Sequence, residues 1–250
     1  NIGVQAVAKA KPDGYTLLLS PATIALNVAV YRKLPYDLLK DLQTITLVGQ
    51  TGVVLVTHPS LKPRQVSELV ELAKEKPGEL NYGSAGLGSP QHLQSEFFNQ
   101  LASLKTNHIP YKGQSQAMND LVGGQLNYMF SPIQNALPFI RQERIRALAV
   151  ASAQRHPALP NVPTLAEAGY RGVELTNWFA LYAPAGTPPA VVQQLNAEVN
   201  KILQLPEVRK KAEDSGTSVE AFTPAQLGEF TRKELDYWGG VIKSAKITAD

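Results

Sequence analysis

The chain has no cysteine, and only two methionines and two tryptophans among its 250 residues. Without cysteine there is no disulfide, no thiolate nucleophile and no Cys-bound metal. The compartment stays open, because many exported bacterial proteins also lack cysteine. Charge is sparse: Asp, Glu, Lys and Arg make up 18% of the residues, and 24 basic against 21 acidic side chains leave a net charge of +3. No basic run is interleaved with aromatics, so no nucleic-acid partner is expected. No run approaches the ~20 apolar residues of a membrane span. The four histidines, His58, His92, His108 and His156, lack i, i+4 partners and Asp/Glu groupings of metal-ligand form, and no metal site is expected.

What is present is alternation. Hydrophobic residues reach 44%, ample for a core. A helix-periodic stretch over 2–10 ends at the turn Lys11-Pro12-Asp13-Gly14. Residues 15–19 then read as an apolar parallel strand covered on both faces, and a polar turn leads into a helix through Val30. Residues 44–48 and 52–57 read as two further strands, and 62–76 as an amphipathic helix stopped by Pro77-Gly78. Leu80, Thr106, Leu126 and Ile145 open strands separated mostly by helices, the last strand before Ser131 being 126–130. This is the rhythm of an open, mainly parallel α/β sheet. Thr164 is placed to cap a short helix over 165–168. A strand over 179–183 precedes a helical C-terminal third.

The stretch 79–100 carries the clearest chemical signal. A short strand runs into a loop with Gly83, Gly86 and Gly88, and Ser89 is placed to cap the following helix with Pro90 at its first position. Such a loop leaves backbone N–H groups outward with the positive end of a helix dipole behind them, an arrangement suited to a carboxylate or phosphate. Ser84, Ala85, Gly86, Ser89 and His92 are the candidate contacts. The same residues also suit a tight connection that binds nothing, and His92 also suits plain packing. Ser20 and Thr23 sit in a turn after a strand and offer two hydroxyls to a ligand, or caps to the next helix.

Sharper motifs fail on spacing. The glycines follow G-x-x-G-x-G, not the dinucleotide order, and no P-loop Lys-Ser or Lys-Thr follows, so no cofactor is expected. Ser84 stands one residue short of a G-x-S-x-G elbow. No nucleophile, base and orienter form a set, so no catalytic residue is assigned.

Longer motifs then carry a resemblance. Pro12-Asp13-Gly14-Tyr15-Thr16-Leu17-Leu18, Lys33-Leu34-Pro35-Tyr36-Asp37 and Pro77-Gly78-Glu79-Leu80-Asn81-Tyr82-Gly83-Ser84-Ala85-Gly86 come first in order. Pro90-Gln91-His92-Leu93, Ile109-Pro110-Tyr111-Lys112-Gly113 and Asp120-Leu121-Val122-Gly123-Gly124-Gln125 follow, and Pro163-Thr164-Leu165-Ala166-Glu167-Ala168-Gly169 comes later. Together they resemble the substrate-binding proteins of tripartite tricarboxylate transporters, the Bug or TctC-type receptors.

The resemblance implies a type II periplasmic-binding-protein fold, with two α/β domains joined by crossing strands around a ligand cleft. The crossings are expected in 52–57 and 179–183, giving one domain of 1–56 plus 181–250 and another of 57–180. It also implies a monomeric receptor in the periplasm that takes a small carboxylate and passes it to membrane permease subunits. The ligand class is a di- or tricarboxylate, an acidic amino acid or an aromatic acid.

In this mapping the loop at Ser84 is one half of the ligand clamp, and Ser20 to Thr23 lie on the other domain's side. Ser131 stands where many relatives carry Asp, so ligand identity does not transfer from them. The family pattern begins with a strand and a Pro-Gly-Gly-type loop, and this sequence matches only from beyond it; the natural protein is expected to extend upstream of Asn1. A signalling receptor of the same fold is one competing reading, and a hydrolase using Ser84 or Ser89 is another. Incubation with candidate acids is expected to return each unaltered by mass spectrometry, and any new product would overturn the non-enzymatic reading.

Overall fold

The computed structural model describes residues 1–245 apart from Arg32 and Glu174. In chain order the elements are α1 (Ile2–Ala8), β1 (Leu18–Pro21), α2 (Thr23–Val30), α3 (Leu38–Asp41), β2 (Leu42–Thr57), α4 (Val66–Glu75), β3 (Asn81–Ser84), α5 (Pro90–Ala102) and β4 (Asn107–Pro110). They continue as α6 (Gln114–Val122), β5 (Tyr128–Pro132), α7 (Ile133–Arg141), β6 (Arg146–Val150), β7 (Thr176–Pro184), α8 (Pro189–Leu203), α9 (Pro206–Asp214), β8 (Thr217–Ser218) and α10 (Pro224–Ala245).

These elements fall into two units, each mixing helix and strand. One comprises Asn1–Gln50, Trp178–Glu213 and the chain from Ser218 onward; the other comprises Thr51–Asn177 and Asp214–Thr217. The strands β2 and β7 each run from one unit into the other, at Gln50/Thr51 and Asn177/Trp178, and the short Asp214–Thr217 piece is a further passage.

In the second unit, β3 lies parallel to both β4 and β5, with Tyr82 opposite His108 on one side and Tyr128 on the other. The second half of β2 pairs antiparallel with β5 and β6. Because side chains alternate across a strand, β5 serves two layers. Phe130 packs edge-on against Phe98 of α5 at 5.8 Å, and the Tyr128 hydroxyl donates to Asn99 Oδ1 at 2.9 Å. Met129 faces the opposite layer, where Ala117, Met118 and Leu121 of α6 meet Ile133, Ala136 and Leu137 of α7. Helices thus cover both faces, which is why every residue of β5 is buried.

In the first unit, β1 pairs antiparallel with β7, Leu18 opposite Tyr182 and Ser20 opposite Ala180. Trp178 is fully buried against Phe230, and its indole N–H donates to Glu234 Oε2 at 2.8 Å. Trp238 donates to the same oxygen at 3.3 Å. Burial raises the Glu234 carboxyl above its ordinary range, and the two indole donors oppose that rise.

Five readings of the sequence need correction. The apolar run at 15–19 is not a parallel strand covered on both faces: β1 begins at Leu18, is antiparallel, and leaves Leu19 58% exposed. Ser20 therefore lies within β1, not in a turn beyond it. The two strands expected in 44–57 are one, β2. Gly52 marks no break; a Cβ there would stand 3.0 Å from Ile133 Cδ1, so the missing side chain permits a close approach. The strand expected over 126–130 lies later, at Tyr128–Pro132, and so contains Ser131. Residues 165–168 are turns, although Thr164 and Glu167 do exchange backbone-to-side-chain bonds of 2.7 and 3.0 Å.

Gly83 tests how the core supports the end of β3. A Cβ there would lie 2.4 Å from Leu126 Cδ1 and 3.4 Å from Ala117 Cβ, both fully or almost fully buried. Overpacking of this kind costs about 1–3 kcal/mol, so Gly83→Val is expected to lower unfolding stability by that amount in denaturant titration. An unchanged midpoint would show that Leu126 and Ala117 yield to the added bulk without cost.

Candidate functional site

The parallel strands β3 and β4 end together, with Ser84 opposite Pro110 and the Tyr111 N–H donating to Ser84 O at 3.1 Å. Each chain then turns into a helix, β3 into α5 and β4 into α6. The C-terminal edge of a parallel sheet is therefore lined by helix N-termini, the place where open α/β sheets bind ligands. The loop between β3 and α5 is shaped by glycine. Gly86 takes φ +121 and Gly88 φ +71, a backbone that residues with a Cβ rarely adopt. A Cβ on Gly86 would also stand 3.0 Å from Tyr111 O. The Ser89 N–H closes the turn onto Gly86 O at 3.1 Å. As the sequence indicates, Ser89 caps α5 by accepting the His92 N–H at 3.3 Å, and Pro90 occupies the first turn.

The loop uses some of its own donors. Gly86 N–H donates to Ser84 Oγ at 3.1 Å, and Gly88 N–H donates to His92 Nδ1 at 3.2 Å. Among the described residues, the N–H groups of Ala85, Leu87 and Gln91 make no hydrogen bond to a protein acceptor. The donors left at the start of α5 are thus fewer than the loop and helix terminus together contain.

A ring stack stands behind the loop. His108 of β4 stacks on His92 at 4.1 Å and on Tyr82 at 4.9 Å, and its Nε2 lies 2.7 Å from Ser84 Oγ. The Tyr82 hydroxyl donates to Glu96 of α5. Burial, with His92 adding to it, pushes the His108 imidazole down to about 4. Burial also lowers His92, against the pull of Glu96. Both rings are therefore neutral near pH 7, and the attraction this site offers an anion comes from peptide N–H groups and the α5 dipole.

A hydroxyl 2.7 Å from an imidazole is also a geometry used by nucleophiles. Here Ser84 is fully buried, its oxygen is engaged by Gly86, and Glu96 is bonded to Tyr82 and not to the His108 ring. The orienting acid of a catalytic set is not in place.

The structure therefore brings Ser84, Ala85, Gly86, Ser89 and His92 together. Ser131 lies in the same sheet on β5, fully buried, its hydroxyl donating to Pro132 O at 3.2 Å. Ser20 and Thr23 belong to the other unit. Neither caps a helix: the residue preceding α2 is Ala22, with no side-chain cap, and Ser20 Oγ donates to Pro21 O at 3.3 Å. His108 escaped the sequence reading. Only the register of β4 on β3 sets it beside Tyr82, and nothing local in the sequence carries that register.

Residues 1–247 match the family described as "Tripartite tricarboxylate transporter family receptor". The structure of the periplasmic binding protein BugD is 31% identical, with a TM-score of 0.92 over 99% of this chain and 83% of that one. R. palustris Rpa4515 with adipate is 32% identical, with a TM-score of 0.93 over 99% of this chain and 83% of that one. MatC from Rhodopseudomonas palustris with bound malate is also 32% identical, with a TM-score of 0.89 over 96% of this chain and 83% of that one. The chain thus has the periplasmic-binding-protein fold, and it belongs to the tripartite tricarboxylate transporter receptor family, whose members are solute-binding receptors and not enzymes.

Proposed function

We propose that this protein is a periplasmic receptor that captures a small dicarboxylate and delivers it, as a monomer, to the permease subunits of a tripartite transporter. The observation that carries the reading is the start of α5, where Ala85, Leu87 and Gln91 retain N–H donors beside a capped helix terminus. An anion placed there completes donors that the helix itself cannot satisfy. The two relatives whose structures contain adipate and malate support a dicarboxylate as ligand. BugD, a periplasmic binding protein, supports the compartment, and the family's description supports the transporter partner.

In this reading Gly86 and Ser89 shape the loop, Ser84 and His92 hold it, and Ala85 contributes a donor. Ser20 and Thr23, on the first unit, and Ser131, buried on β5 of the second, remain further candidates, and neither unit's candidates are needed for the anion loop itself. Uptake needs no chemistry, only a site that binds and lets go.

Gly86 is the residue to change. Any Cβ opposes its φ of +121 and meets Tyr111 O, so the loop must shift. A hydrogen bond to a charged group contributes about 1.5–3 kcal/mol, so losing one lowers affinity about ten- to a hundredfold. Gly86→Ala is expected to weaken adipate or malate binding by that factor in calorimetry. Gly86→Glu, which adds a like charge, is expected to weaken it further. Wild-type affinity in both variants would mean that the loop is only a connector.

A further inference from the structure

Three contacts meet at Ser84 Oγ: His108 Nε2 at 2.7 Å, Gly86 N at 3.1 Å and Gly86 O at 3.1 Å. A hydroxyl has one proton to give and two lone pairs to receive. The Gly86 N–H occupies one lone pair. Gly86 O brings no proton, so that contact requires the proton of Ser84. The remaining lone pair is then matched only if the ring supplies a proton at Nε2. In the opposite assignment, with Ser84 donating to His108, two oxygens would face each other at 3.1 Å with no hydrogen between them.

We propose that His108 is a positioning residue for the anion loop: in its Nε2–H tautomer it donates to Ser84 Oγ, and through Ser84 it fixes Gly86 so that the neighbouring N–H groups stay directed at the ligand. The inference rests on the reading that this loop holds a carboxylate. His108 itself touches no ligand.

Several observations converge on this role. The imidazole is held by stacking against Tyr82 and His92 and not by an acid, so its orientation is set by packing. Its strand register against β3 places Pro110 opposite Ser84 and His108 opposite Tyr82, so Nε2 reaches forward to the end of β3. The other end of the loop is tied by the second ring of the stack, where His92 Nδ1 accepts the Gly88 N–H at 3.2 Å. That bond requires an unprotonated Nδ1. Two stacked histidines, both neutral and both carrying Nε2–H in this assignment, therefore brace the loop at Ser84 and at Gly88. Ser84 Oγ and His92 Nδ1 thus take the two glycine N–H groups and leave those of Ala85, Leu87 and Gln91. Burial keeps His108 uncharged near pH 7, as a single-tautomer donor requires.

The test has two arms on the full chain. Nitrogen-15 NMR of the ligand-free protein, labelled in histidine, is expected to show a protonated Nε2 and an unprotonated Nδ1 at His108; the reverse tautomer overturns the proposal. His108→Gln keeps an N–H donor near the Nε2 position, whereas His108→Phe keeps a stacking ring and deletes the donor. Calorimetry with adipate is expected to find the Gln variant within about twofold of wild type and the Phe variant about three- to tenfold weaker.

Faster exchange of the Gly86 amide in the Phe variant, restored to the wild-type rate in the Gln variant, is the matching readout without ligand. Wild-type affinity and wild-type Gly86 exchange in the Phe variant overturn the proposal. If the Phe variant does not fold, the wild-type tautomer and the Gln variant's Gly86 exchange decide. If wild-type protein binds neither adipate nor malate, the dicarboxylate reading fails by itself, and the tautomer and Gly86 exchange still judge the role of His108.

Discussion

A helix cannot satisfy its own first N–H groups, and at the start of α5 that shortage determines how the surrounding residues are used. Ser89 takes one donor and Pro90 removes another. Gly86 and Gly88 turn their amides back onto Ser84 and His92. What remains is a small set of peptide donors on the positive end of a thirteen-residue helix. A helix N-terminus stabilises a nearby anion by about 0.3–1 kcal/mol when exposed and up to ~2 kcal/mol when partly buried, and direct hydrogen bonds add to this. The parallel arrangement of β3, β4 and β5 matters because it brings the strand end, the loop and two helix starts to one edge.

The source of the attraction also constrains selectivity. The two histidines nearest the loop are neutral, so no formal positive side chain of the ring stack faces a ligand. Oriented peptide dipoles are fixed in direction, whereas a lysine ammonium is a mobile point charge. A site of this kind discriminates by where the anionic oxygens fall, and less by total charge. Under the proposed function that suits a receptor that must release what it binds, because no ion pair with the ring stack is lost when the ligand leaves.

How far the sequence discloses this varies by feature, and for physical reasons. The Ser89 cap and the Pro90 position depend on residues within one turn of each other, and short-range chemistry is legible in a single chain. The alternation of strands and helices was legible for the same reason. The direction of β1 was not: an apolar run looks alike in parallel and antiparallel sheets, and only its partner β7, far along the chain, decides. Residues 44–48 and 52–57 read as two strands because the polar and glycine residues between them look like a turn, whereas pairing partners far along the chain carry β2 straight through. His108 is the clearest case. It carries no motif, and its place beside Ser84 follows from a parallel register that spans 26 residues of chain, shared by Asn81 and Asn107. The family motifs nonetheless reached the fold and the receptor class before any register was known.

A crystal structure of the protein grown with saturating adipate tests the central claim most directly. The account predicts one carboxylate of the ligand at the start of α5, within about 2.7–2.9 Å of the nitrogens of Ala85, Leu87 and Gln91, with the Gly86 and Gly88 amides still bonded to Ser84 and His92. A carboxylate bound elsewhere in the second unit, or one seated on the Gly86 and Gly88 amides with the histidine stack displaced, would contradict it.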